Sequence, residues 1–423
     1  MAEKADQRER DAAGASCRRA AAAVALLALA AAGVRLGIGL WRVDQVYRFP
    51  DSQGYRALSE SLREGRGLVM TDFAGREVRA GRMPGYPAIL AAVHGTLGSS
   101  PAAVVAVQSV LGAVAVWLAW ALGREVAGAA AGLTAAALAA LSPWQVYFAT
   151  VALTECVSTV LLLAAVLCGV RALGERRWAA WSVAAGLSVA GLAYIHPQWL
   201  ALPALAGVAA LAAPGRGRWL ARWGIVAGVC VAALVPWAAR NVRAVGRPVV
   251  TTTRVGATWY DGVGPGATGA SDMRFEQHLR DRTDGLNETE YDAFYRRAAW
   301  AAVREDPGRV VSLAWVKVRR LWSPTPNLDE GQRALYRWAG AAAYVPMAGG
   351  GLLGLLVLVR RRAGALVLLL IPVASVTLAS AAMVGSIRYR VPVEPMLFVL
   401  AGVALAWVLR GSESVSRPEE QGA

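Results

Sequence analysis

The sequence predicts an all-α polytopic membrane protein with about ten transmembrane helices, a re-entrant or interfacial segment and one larger outer loop. Three observations carry that prediction. Apolar residues make up 56% of the 423-residue chain and charged residues only 17%, with mean hydropathy +0.41, whereas soluble domains run near 45–50% and about 25%. The apolar residues fall in nearly uncharged blocks of roughly 17–24 residues, the length a helix needs to cross a bilayer. Arginines gather beside those blocks, as membrane orientation demands. The net charge of +15 and pI near 10.4 therefore report topology. No basic face is interleaved with base-stacking aromatics, so the partner is the lipid bilayer and not nucleic acid.

The elements follow in order. Residues 1–17 form a cytoplasmic N-terminal tail. The span at 18–41 is too long for a signal-peptide core and stays uncleaved. With spans at 101–122, 125–142, 151–173, 178–195, 197–213 and 219–238 it builds a catalytic module over 18–238, which includes a first outer loop, 42–100. Within that loop "MPGYPAILAAVHGTLG" (83–98) is apolar but short and opens with two prolines and a glycine. The clusters Arg18–Arg19, Arg176–Arg177, Arg216–Arg222 and Arg360–Arg362 all lie inside only when 83–98 does not cross. It then reads as re-entrant or interfacial, which is tolerated where backbone lines a protein cavity. The arginines of 42–82 lie outside, against the statistical tendency.

Residues 239–337 form the extracytoplasmic loop region. It holds the Gly/Thr-rich "TTTRVGATWYDGVGPGATGASD" (251–272) and a helical segment at 287–306 that stops at Pro307. An amphipathic stretch at 308–324 suits the membrane surface. Spans at 338–359, 363–384 and 391–409 make a C-terminal block, 338–410, with both termini inside, and 411–423 reads as a disordered tail. Cys17, Cys156, Cys168 and Cys230 show neither metal-ligand spacing nor a disulfide framework.

With this topology the ionisable residues gather on the outer side. Asp51, in "VYRFPDSQGY" (46–55), is readable as an N-cap of the following helix or as a general base at the interface. Arg82, in "AGRMPGYP" (80–87), is placed to grip a phosphate, while Pro-Gly-Tyr-Pro fixes a bend and prevents a straight helix start. Glu155 lies in the first turn of a span, where the helix dipole favours an acid, yet ionisable groups in spans are costly and usually functional. His196, in "YIHPQW" (194–199), is more often structural than catalytic. Arg240 and Asn241 in "PWAARNVRAVGRP" (236–248) stand just outside a span. Arg388 and Arg390 in "SIRYRVPVEP" (386–395) oppose the inside-positive tendency, and a lipid phosphate would satisfy them. Tyr55, Tyr86, His196, Asn241 and Tyr389 are the candidate substrate contacts. The Gly-rich 262–269 lacks the spacing and context of a nucleotide loop.

Taken in order, the motifs resemble a family. An outer loop opening with Asp, Arg-x-Pro-Gly-Tyr-Pro, a lone acid at a later span's outer start, "PWAARN" before a Gly/Thr-rich loop and a closing "RYRVPVEP" are similar to membrane glycosyltransferases of the GT-C class. The likeness is to family 39, the protein O-mannosyltransferase-like and aminoarabinose-transferase-like enzymes, and covers roughly 18–410. It implies a polyprenyl-phosphate-linked sugar donor and an acceptor protein, lipid or cell-envelope glycan at the outer face of the cell membrane. It makes Asp51 the catalytic acid and Glu155 its second acid. It also places Arg82, Arg388 and Arg390, with Arg240 beside them, on the donor phosphate. Two departures stand out: Ser52 follows Asp51 where a second acid is common, and His196 replaces an Arg.

The residues fit this chemistry independently. Displacing a lipid phosphate needs a base for the acceptor hydroxyl and cations for the leaving group, rather than the carboxylate pair of a glycoside hydrolase. The outcome is inversion at the anomeric carbon. A divalent metal is compatible with the reaction but no ligand set is visible, and no other cofactor is required. Two alternatives share part of the pattern. A lipid or glycan transporter would show inverted repeats and broken helices at the midplane. An O-antigen polymerase or ligase-like enzyme would lack an essential first-loop acid.

Overall fold

Prolines and glycines set several helix boundaries in the computed structural model, which describes residues 2–72, 75–174, 176–327 and 334–415. α1 (Ala2–Trp41) runs unbroken through the expected tail and first span. α2 (Pro50–Arg63) begins at Pro50, where the missing N–H costs no hydrogen bond and φ is already helical. A small antiparallel hairpin follows, β1 (Met70–Thr71) against β2 (Glu77–Val78), with Met70 opposite Val78. α3 (Gly85–Leu97) starts inside Pro-Gly-Tyr-Pro, so that motif opens a helix and does not prevent one. Pro87 sits in the first turn, whose N–H groups have no intrahelical partner. Gly85 is required for closeness: a Cβ there would lie 2.7 Å from Tyr194 O.

The chain continues through α4 (Pro101–Ala127), α5 (Ala129–Leu141), α6 (Pro143–Phe148), α7 (Glu155–Ala172), α8 (Trp178–Ile195), α9 (Ala201–Ala212) and α10 (Arg216–Val245). The polar region holds α11 (Val255–Val263), α12 (Phe275–His278), α13 (Arg280–Thr283), α14 (Glu288–Glu305) and α15 (Pro307–Leu321). The last part comprises α16 (Ala334–Arg361), α17 (Ala363–Ala382), α18 (Ile387–Arg390) and α19 (Glu394–Val415). α19 carries the helix five residues into the expected tail; the rest of that tail, 416–423, lies outside the described residues.

Each of the ten expected spans meets one helix. Among the described residues eight helices are long and apolar enough to cross a membrane: α1, α4, α7, α8, α10, α16, α17 and the α18–α19 stretch. Ala129–Leu141 and Pro197–Ala212 are shorter. Thirteen residues of α5 rise only about 20 Å, and α6 extends the path until Ala152 N donates to Val46 O at 2.8 Å, just beyond the end of α1. The opposite end of the bundle is tied by arginines: Arg362 Nη1 donates to Glu125 O at 3.1 Å and Arg222 Nε to Ala172 O at 2.6 Å. α3 does not reach that end. It starts against Tyr194 near the end of α8, lies on α2, and leads at once into α4, whose Val105 meets Gly39 of α1.

Two devices hold the bundle. Arg35, fully buried in α1, donates to Ala31 O (3.0 Å) and to Ala139 O (2.9 Å) and Ala140 O (3.4 Å) at the C-terminal end of α5. Those carbonyls lack intrahelical partners and carry the negative end of the dipole, so they satisfy the charge. Small residues supply the second device. A Cβ on Gly402 of α19 would meet Ala131 O of α5 at 2.4 Å, and one on Gly354 of α16 would meet Leu400 O of α19 at 1.8 Å. Backbones can approach this closely in membranes only at such residues. Gly402→Val should therefore lower stability by about 1–3 kcal/mol, read as a fall in the unfolding midpoint of the detergent-solubilised protein.

Candidate active site

Asp51 occupies the first turn of α2, with Phe49 at the capping position. The N-cap reading of Asp51 is thereby corrected: the helix starts at Pro50, two residues earlier than a cap at Asp51 would give, and the carboxylate is free to turn outward. It meets two guanidinium groups. Arg82 Nη2 donates to Oδ1 at 2.5 Å, and Arg388 Nη1 donates to Oδ2 at 2.6 Å. Arg388 Nε in turn donates to Glu155 Oε1. The result is one chain, Arg82–Asp51–Arg388–Glu155, assembled from α2, the turn before α3, α7 and α18. Side-chain exposure falls along it, from 31% at Asp51 and 25% at Arg82 to 14% at Arg388 and 4% at Glu155. The Asp51 end is open and the Glu155 end is closed.

Burial alone would raise the Asp51 carboxyl, but the Arg82 and Arg388 guanidiniums outweigh it and hold it well below the usual carboxylate range. Tyr55 lies beneath Arg82, whose guanidinium carbon is 5.4 Å from the ring centre, and burial pushes its phenol up to about 12. Its ring meets Tyr86 edge-on at 5.0 Å. Tyr86 faces inward and donates to Gln108 Oε1 at 3.2 Å, while Gln108 Nε2 donates to Val151 O at 2.8 Å. Tyr86 is thus a wall of the site. His196 stands on the other flank, 6.2 Å ring to ring from Tyr389, and its Nδ1 accepts from Gln198 N at 3.3 Å. Burial, then Arg388, lowers it to about 4, so it is neutral at pH 7.

Arg82 is delivered by the polar region. Glu288, the first residue of α14, accepts from Arg79 N (3.1 Å), Ala80 N (3.1 Å) and Thr253 Oγ1 (2.8 Å). Thr253 N donates to Ala80 O at 3.0 Å. The capping box of Asn287 and Glu290 marks the helix start in the sequence. Its reach back over 200 residues to the Arg82 turn has no local signal. Gln108 and Glu288 are the residues that sequence reading missed.

Three candidates are not brought to the cluster. Arg390 is fully buried and bonds Glu394 (3.0 Å), Leu321 O (3.2 Å) and Ser323 O (2.8 Å), which leaves it no open face for a phosphate. Arg240 Nη1 donates to Arg79 O at 2.6 Å and to Asn241 Oδ1 at 2.9 Å. Asn241 is buried and donates to Val249 O at 2.7 Å. Arg240 braces the turn after the hairpin against α10, and Asn241 the start of the polar region. Among the described residues no three His, Cys, Asp or Glu side chains lie together as a metal site.

Residues 81–239 match the family model of dolichyl-phosphate-mannose-protein mannosyltransferases, a stretch that includes Arg82, Glu155 and His196 but neither Asp51 nor Arg388. No curated protein sequence matches the chain. In structure the chain is similar to the oligosaccharyltransferase AglB of Archaeoglobus fulgidus in complex with an inhibitory peptide and a dolichol-phosphate. The TM-score is 0.57 at 13% identity, over 95% of this chain and 52% of that one. An Archaeoglobus fulgidus oligosaccharyltransferase tethered to an acceptor peptide gives 0.56 at 13% identity, over 92% and 50%. ArnT from Cupriavidus metallidurans bound to undecaprenyl phosphate gives 0.41 at 14% identity, over 93% and 81%. The chain spans about half the length of the oligosaccharyltransferases it matches. It is a multi-pass membrane protein with the GT-C fold.

Arg390→Ala should act on folding. Leaving Glu394 buried and unpaired costs about 3–5 kcal/mol, and replacing both residues by Met and Leu should recover most of it in detergent unfolding.

Proposed function

We propose that this GT-C-fold membrane protein is a glycosyltransferase that moves a sugar from a polyprenyl-phosphate-linked donor to an acceptor protein, lipid or cell-envelope glycan. Transfer takes place at the outer face of the membrane and inverts the anomeric carbon. The observation that carries this reading is the partly open Asp51 carboxylate held between the guanidiniums of Arg82 and Arg388. The likeness to an oligosaccharyltransferase solved with a dolichol-phosphate supports a lipid-phosphate donor, and so does the mannosyltransferase family match over 81–239.

A carboxylate gripped by two cations is a weak base. Donor binding changes that. Phosphate oxygens compete for the same N–H groups, since Arg pairs with phosphate as readily as with carboxylate. As the two arginines turn to the phosphate, Asp51 loses its counter-charges and its pKa rises. The base is armed only when the donor is in place. The acceptor hydroxyl then gives its proton to Asp51 as its oxygen bonds the anomeric carbon. The bond from that carbon to the phosphate oxygen breaks, and its electron pair leaves on a phosphate neutralised by Arg82 and Arg388. Glu155 serves this step through Arg388, fixing the guanidinium from the closed side. Neutral His196, with Tyr55 and Tyr389, walls the sugar.

Asp51→Asn should cut transfer from a radiolabelled polyprenyl-phosphate sugar by about 10²–10⁴-fold while the protein stays folded; full activity would rule out the mechanism. Arg82→Ala and Arg388→Ala should raise the donor KM, and an effect on acceptor KM alone would remove them from the phosphate. The active form has Asp51 ionised, so activity falls as pH drops through its pKa. For kcat/KM, which reports the free enzyme, that limb should lie well below the ordinary carboxylate value of about 3.9. For kcat at saturating donor it should move upward. Limbs that coincide would show that phosphate does not displace the arginines.

A further inference from the structure

A cleft of about 350 Å³ opens between the Thr251–Thr253 run and the first turns of α14, and none of its lining residues belongs to the Asp51 cluster. That volume suits a small ligand. Thr252 is only 7% exposed, yet its hydroxyl and that of Thr251 bond no other group among the described residues. Both residues line the cleft, so their unpaired hydroxyls are available to whatever fills it.

We propose that this cleft binds an anionic sugar, the acid-bearing unit of an acceptor glycan. Its charge is the first reason. Arg247 is exposed and pairs with no carboxylate among the described residues, and Arg296 stands across the opening. The one acid in the lining, Asp292, has both oxygens engaged: Oδ1 accepts from Gly256 N at 2.5 Å and Oδ2 from Arg296. No free carboxylate is left there to repel an anion. The second reason separates a sugar from a peptide. A peptide docks through its main chain and needs open backbone partners, and several of those in the lining are already engaged. Thr251 O accepts from Trp237 Nε1 at 3.1 Å, Val249 O from Asn241, and Thr253 N donates to Ala80 O. The lining also offers side-chain hydroxyl, which donates and accepts as sugar hydroxyls do. The third reason is position. Thr253 bonds Ala80, two residues before Arg82, so the cleft floor and the catalytic turn are one hydrogen-bonded unit.

Naming the ligand as acceptor rests on the transferase reading; the binding itself does not. The test uses the full chain in lipid nanodiscs with trigalacturonic acid, neutral maltotriose and a tri-aspartate peptide as probes, read by calorimetry. The acidic trisaccharide should bind saturably and at least tenfold tighter than either of the others. Arg247→Gln, a surface change, should weaken it at least fivefold, Ala293→Phe should fill the cleft and remove it, and Asp51→Asn should leave it unchanged. Absence of saturable binding, a preference for the peptide, or undiminished binding in Arg247→Gln and Ala293→Phe overturns the proposal. Loss of transfer in Asp51→Asn without trisaccharide binding sinks the cleft alone. Binding as described with full transfer in Asp51→Asn sinks the catalytic reading alone.

Discussion

Arg388 bridging two carboxylates is the contact on which the rest of the site depends. One guanidinium engages Asp51 through Nη1 and Glu155 through Nε. A planar fork with donors on two edges can do this; the single ammonium of a lysine could not fix both acids in a plane. Glu155 is closed off and Asp51 is open, so the bridge ties the open end of the cluster to its buried end. Arg82 balances the group from the other side, and two cations face two acids.

The bundle explains why those residues meet. Close helix contacts at glycine and alanine, with the buried Arg35 tying α1 to α5, bring the end of α1, the start of α7 and the start of α19 to one end of the molecule. The short α2–α3 pair lies across that end and carries Asp51 and the Arg82 turn. The polar region then closes over it, with Glu288 satisfying two backbone N–H groups that would otherwise be left open next to Arg82.

Much of this was legible because length and apolarity are local properties. Each of the ten apolar blocks became a helix, and the end of α14 was marked by Pro307. Asp51 was legible as a candidate because an acid at a membrane exit is costly. What escaped depends on direction and distance. Arg388 and Arg390 are indistinguishable in "RYR", yet two residues on a helix lie about 200° apart around its axis. One therefore faces Asp51 and the other the buried Glu394. The hairpin at 70–78 has two-residue strands, too short for any periodicity. Arg240 looked like a phosphate ligand because an interfacial arginine reads the same whether it holds a lipid or a carbonyl.

The wide spacing of the Asp51, Arg82, Glu155, Glu288 and Arg388 contributions along the chain also bears on biogenesis. Segments far apart in the chain, from α2 to α18, must all be in place before the cluster exists. A chain that stops short of Arg388 pairs Asp51 with Arg82 alone and leaves Glu155 without its guanidinium. The four-member cluster is therefore complete only once α18 has joined the fold.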